Sequence, residues 1–110
     1  MKVSKELLKG STGTLVLTVL SNKSMYGYEL IKELETRSDG VFALKEGTLY
    51  PILHAMEAER WVDSYWEESG GRKRKYYTVT ESGKKRLSEK TEEWRIFSGA
   101  VNAVLGEGRV

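Results

Sequence analysis

Between residues 46 and 77 the chain runs from Gly47-Thr48-Leu49-Tyr50-Pro51 to Gly70-Gly71-Arg72-Lys73-Arg74-Lys75, a helix start and a cationic glycine turn separated by one short strand. Leu49, Ile52, Leu53 and Met56 recur at i, i+3, i+4 and i+7, so one face of the helix belongs to a core. The opposite face presents Thr48, Tyr50, His54 and Glu57. Pro51 is accommodated if it lies in about the first turn, where backbone N–H groups have no intrahelical partner. Val62 to Glu67 alternates like a strand, with Val62, Ser64 and Trp66 on one side and Asp63, Tyr65 and Glu67 on the other. Ser69-Gly70-Gly71 supplies the positive backbone dihedrals of a tight hairpin, and Lys75 to Thr80 returns as the partner strand. A helix beside a cationic hairpin makes a two-pronged surface suited to a nucleic-acid groove and the phosphates next to it.

Upstream, a single helix is expected from about Lys5 to Leu20, with Leu8, Leu15, Val16, Val19 and Leu20 on its buried face. Leu7, Gly10 and Thr14 fall on a neighbouring stripe of the same helix. After the polar turn Ser21-Asn22-Lys23-Ser24, a second helix is expected from about Gly27 to Arg37, with Leu30, Ile31 and Leu34 facing the core and Ser38-Asp39-Gly40 closing it. Downstream of the hairpin, Leu87, Trp94, Phe97, Val101, Val104 and Leu105 recur every three or four positions on a helix from Thr80 or Glu81 to about Leu105. That stripe is too long for one small domain to absorb and resembles a short coiled-coil seam. A homodimer is expected, with Leu87, Trp94, Phe97, Val101 and Val104 at its interface.

The sum is about four helices and one hairpin: a mainly α chain with a small β-hairpin (α+β), read as a winged helix-turn-helix over residues 1–80 and a C-terminal dimerisation helix over 81–110.

Composition narrows the function. The 18 Lys and Arg nearly balance 16 Asp and Glu, so a net charge of +2 cannot by itself argue for a polyanion partner, and the clustering at Arg72 to Lys75 has to carry that case. With no cysteine and His54 the only histidine, thiol chemistry, zinc ligation and histidine-based triads lack their parts, and neither an enzyme nor a cofactor is expected. Glu67-Glu68 and Glu92-Glu93 are adjacent in sequence, so their carboxylates diverge and read as solvated faces. No stretch approaches a membrane span and the N-terminus lacks the long apolar run of a signal peptide, so a soluble cytoplasmic protein is expected.

Three runs together carry a family resemblance: Tyr26-Gly27-Tyr28-Glu29-Leu30, then Gly47-Thr48-Leu49-Tyr50-Pro51-Ile52-Leu53 with Met56-Glu57, then Gly71-Arg72-Lys73-Arg74-Lys75-Tyr76-Tyr77-Thr78-Val79-Thr80 through Gly83. The chain resembles the PadR family of bacterial transcriptional regulators, in its short form with a single C-terminal helix. The resemblance implies a dimeric repressor on a double-stranded operator. Thr48, Tyr50, His54 and Tyr26, with Arg72, Lys73, Arg74 and Lys75, are then the DNA-binding set. Trp94 matches the tryptophan that multidrug-responsive members place at the dimer centre, which implies a pocket for a planar aromatic or drug-like effector between two indoles. Leu7, Gly10 and Thr14 across the seam, small apart from Leu7, would leave the gap, with Ser98 one turn on from Trp94. A winged-helix protein-interaction module, and a DNA-binding regulator without an effector, are the alternatives. One departure stands out: where the family usually has glycine after the recognition helix this chain reads Glu59-Arg60-Trp61, so Arg60 either takes a left-handed conformation or the helix runs on.

Overall fold

The computed structural model describes residues 2–106; within the expected 81–110 segment, positions 107–110 lie outside the described residues. Among the described residues the order is α1 (Lys5–Lys9), α2 (Thr12–Asn22), β1 (Met25–Tyr26), α3 (Gly27–Arg37), α4 (Glu46–Ala58), β2 (Val62–Ser69), β3 (Arg72–Val79) and α5 (Glu81–Leu105). The strands form one antiparallel sheet in the order β1-β3-β2. This is the winged helix: α2, α3 and α4 packed together, with β2 and β3 as the wing.

The expected helix from Lys5 to Leu20 is in fact two. Gly10-Ser11-Thr12-Gly13-Thr14 is a run of weak helix formers, and where the ladder breaks the Leu8 carbonyl accepts from the Ser11 N–H (3.1 Å) and from the Thr12 hydroxyl (3.0 Å). Leu7 therefore sits on α1 and Thr14 on α2, not on a common stripe. The expectation of one hairpin is also corrected, because Met25 and Tyr26 pair with Tyr77 and Tyr76 as a third strand. Two residues are too few for alternation to announce a strand. Pro51 lies beyond the first turn, as the sixth residue of α4, since the helix starts at Glu46 with Lys45 as its cap. It withholds an N–H from the Gly47 carbonyl, and Gly47 is exposed, so water can take that bond.

The core is built from the residues whose periodicity marked them. Val16, Val19 and Leu20 of α2, Leu30 and Leu34 of α3, Leu49, Leu53 and Met56 of α4, and Val62 of β2 are buried, joined by Leu17, Met25 and Tyr77. Burying a side chain of this size contributes roughly 1.5–3 kcal/mol. At the wing tip Ser69 pairs with Arg72 across Gly70 and Gly71, whose φ values of 58° and 78° fit a two-residue type I′ turn. Both strands run further than alternation alone suggested. The cations therefore lie along the first half of β3 and not in the loop.

Arg60 resolves the departure noted above. Its φ is 62°, Arg60 N–H donates to the Glu57 carbonyl (3.0 Å) and Trp61 N–H to the Met56 carbonyl (2.9 Å), which is a Schellman end with an arginine in the left-handed place. A side chain there costs about 1 kcal/mol. Arg60→Gly is expected to raise stability by about that amount, read as a higher denaturant midpoint with unchanged slope.

Candidate nucleic-acid interface

With Leu49, Leu53 and Met56 buried, α4 turns Thr48 and His54 outward, both exposed. Tyr50 is half-buried, and its phenol lies on the backbone of Gly27 at the start of α3. A Cβ on Gly27 would stand 2.8 Å from the Tyr50 Cζ, so only glycine lets the ring settle there. The Tyr50 and His54 rings follow each other along the helix with centroids 6.3 Å apart.

The wing cations divide into two kinds. Arg72 and Lys73 are exposed, and among the described residues no ion pair engages them or Arg74. Arg74 donates to the Tyr26 hydroxyl (2.8 Å), and its guanidinium lies 4.4 Å from the centre of that ring. Tyr26 packs edge-on against Tyr76, which stacks on Tyr65, so an aromatic row on the outer face of the sheet fixes where Arg74 points. Tyr26 therefore orients a cation through its hydroxyl. Lys75 reaches the Glu57 carboxylate (3.9 Å), which also accepts from the Ser64 hydroxyl (2.5 Å). Glu57 thus ties the recognition helix to both strands of the wing.

All four cations border one open groove of about 630 Å³, together with Tyr26, Tyr50 and His54. Glu46, Tyr28, Trp66 and Tyr77 complete its lining. Thr48 is exposed on the same helix but does not line the groove. Glu67 and Glu68 stand across the ladder from Arg74 and Lys73 and temper the positive field. The groove's chemistry is mainly anion recognition: guanidinium and ammonium groups, phenol hydroxyls and an imidazole outnumber the one carboxylate, Glu46, with no group of residues among those described that would hold a metal.

Beneath the groove Tyr77 is buried, and burial first, then the Glu57 carboxylate and Tyr50, push its pKa above the ordinary tyrosine value. The folded state thus holds the proton more tightly than the unfolded chain. Its contribution is intact below about pH 10 and is lost as pH rises through the folded value. Tyr77→Phe is expected to show a shallower loss of stability in alkali than the parent, measured as denaturant midpoint against pH.

The second expected constellation is on α5 and the N-terminal helices. Trp94, Phe97, Val101 and Val104 are exposed, with the Trp94 and Phe97 rings 5.8 Å apart. Leu87 is different, because it packs against the protomer's own core. Leu7 is 70% exposed, a Cβ on Gly10 would meet open space, and Thr14 and Ser98 are half-buried. Glu92 and Glu93 are solvated: Arg95 and Lys90, each hydrogen-bonded to its carboxylate, hold them below the usual range.

Trp66 escaped the sequence reading. Alternation aligned it with Val62 and Ser64 and gave it no role, and it is 65% exposed beyond the buried start of β2.

Comparison with known proteins agrees with this geometry. A model of the transcriptional regulator PadR-like family matches residues 16–89. Protein X of Lysinibacillus sphaericus is 36% identical over 93 residues, covering 84% of this chain and 85% of its own. A PadR-like transcriptional regulator of Bacillus cereus superposes with a TM-score of 0.82 at 34% identity, covering 92% of this chain and 97% of its own. A transcriptional regulator of Clostridium thermocellum gives 0.84 at 31% identity, covering 92% and 96%. Such regulators bind DNA and are not enzymes, and no helix among the described residues here is long and apolar enough to cross a membrane. With a recognition helix, a cationic wing and a family model running from within α2 through α3, α4 and the wing to the start of α5, the chain belongs to the PadR-like family of transcriptional regulators.

Proposed function

We propose that this regulator is a ligand-responsive repressor that binds an inverted-repeat operator as a homodimer in the cytoplasm. The observation that supports it most is the convergence of Tyr50, His54 and all four wing cations on one groove. In this reading α4 enters the major groove, where Thr48, Tyr50 and His54 reach base edges or phosphates. Arg72 to Lys75 take the flanking backbone or the minor groove, whose negative potential attracts guanidinium groups. Residues 1–80 form the DNA-binding unit, and residues 81–110 dimerise it.

What α5 leaves uncovered supports the dimer. Trp94, Phe97, Val101 and Val104, at 53%, 56%, 39% and 87% exposure, are too many large apolar groups on one stripe for a lone chain to show water. Pairing two such helices sets two copies of α4 about 34 Å apart, one turn of B-DNA. A planar aromatic compound between Trp94 and its symmetry mate, against Leu7, Gly10, Thr14 and Ser98, would release DNA only by binding better to a dimer whose spacing no longer fits. Occupancy of the operator blocks transcription.

Sedimentation and selection from random duplexes test this together. The expected result is a dimer that enriches inverted repeats with half-site centres about 10 base pairs apart. Quenching of the indole emission by a planar cationic dye, lost in Trp94→Phe, is expected for the effector site. A monomer, or enrichment of isolated half-sites, would contradict the proposal.

A further inference from the structure

Trp66 occupies a place that neither the core nor the ion pairs account for. On its face of β2, Val62 is buried and Ser64 is bound to Glu57 beneath α4, and Trp66 is the next residue outward. It stands directly across the ladder from Lys75, with Lys73 one pleat further on the same side of β3. It lines the groove that holds Tyr50, His54 and the wing cations, and 65% of it is open to solvent. An indole is a large apolar surface to leave in water, and here it shares its face of the wing with Lys75 and Lys73 as well as Glu68.

We infer that Trp66 is a further DNA-contact residue, packing its ring on the deoxyribose of the duplex strand whose phosphates the wing cations hold. The inference rests on the DNA-binding reading of the groove. Charge complementarity selects the occupant. The ammonium groups of Lys75 and Lys73 on the ring's own face, against the single carboxylate of Glu68, fit a partner whose apolar faces are spaced between anions, and the sugar–phosphate backbone offers that alternation. The indole N–H adds a donor for a phosphate oxygen. Because the contact is apolar and not ionic, it adds affinity without releasing counterions, whereas each cation on a phosphate does release them.

The experiment is fluorescence anisotropy with a labelled mixed-sequence duplex, titrated at several salt concentrations with the full chain, Trp66→Ala, Trp66→Phe and Arg72→Ala. Trp66→Ala is expected to bind about tenfold more weakly with the slope of log K against log salt unchanged, and Trp66→Phe to recover most of the loss. Arg72→Ala is expected to flatten the slope. The change in indole emission on adding DNA should vanish in Trp66→Phe, a readout that survives even if Trp66→Ala folds poorly. If the full chain binds and both variants match it with the emission change intact, the Trp66 assignment is wrong while the groove's reading stands. A flattened slope in Trp66→Ala would mean that it acts through the neighbouring lysine, and an effect seen only with single-stranded DNA would mean base stacking; either overturns the contact proposed. Failure of the full chain to bind any duplex would remove the DNA-binding reading itself.

Discussion

Replacing Arg72, Lys73, Arg74 and Lys75 together by alanine is expected to weaken binding to every duplex, related or unrelated in sequence, by on the order of a hundredfold at about 0.1 M salt. Each phosphate contact releases condensed counterions and steepens log K against log salt by about 0.9, so losing Arg72 and Lys73, which have no ion-pair partner among the described residues, flattens it by roughly 2 per protomer. Arg74 and Lys75 add less to the slope, since Tyr26 and Glu57 already engage them. Both contacts are lost in the variant, at a stability cost of about 1 kcal/mol each or less, so the fold persists and the loss is one of binding. Thr48→Ala is the counterpart, altering which sequence is preferred while leaving the slope alone. Anisotropy titrations over a range of salt check both.

The second large effect is on stability and runs against helix propensity. Gly83 sits in the first turn of α5, where its N–H donates to the Thr80 hydroxyl (2.9 Å). A Cβ there would drive into the Trp61 carbonyl oxygen and lie 2.9 Å from its carbon. That carbonyl also accepts from Thr80 N–H (3.0 Å), while Arg86 stacks on the Trp61 ring at 4.7 Å. The start of α5 is thus pressed onto the end of the recognition helix, backbone on backbone, with nothing flexible to yield. Propensity alone would make Gly83→Ala stabilising by about 1 kcal/mol. The expected result is instead a loss of about 2–3 kcal/mol and a midpoint lower by roughly 10 °C or more. Gly99→Ala on the same helix, where a Cβ meets nothing within 4 Å, is expected to stabilise. Thermal melts of the two variants side by side read the opposite signs.

Much of this molecule was legible in its residues, and the failures have causes. The i, i+3, i+4, i+7 series of α4 and the glycine pair of the wing are local signals, and both elements formed where those signals stood. The break at Gly10-Ser11 comes from weak helix formers between two apolar series, with the Leu8 carbonyl taken by the Ser11 N–H and the Thr12 hydroxyl, which apolar periodicity does not register. Strand β1 exists only because β3 passes beside it, a long-range pairing invisible in two residues. For the site, the cations and the outward face of α4 could be read. Their sorting into free and engaged could not, because Tyr26 lies 48 residues from Arg74 in the chain and Glu57 meets Lys75 only once the sheet has formed. Trp66 was missed because alternation gives the side of a strand but not where the cover above it ends.

The central claim is that α4 and the wing form one DNA-facing surface, and footprinting on a duplex selected by the protein tests it most directly. Protection of guanine N7 in the major groove should be flanked by protection of sugars in the adjoining minor groove. The Thr48→Ala variant should change the first, and the Arg72-to-Lys75 alanine variant should erase the second. Protection that neither variant alters, with both proteins folded and the duplex saturated, would contradict it.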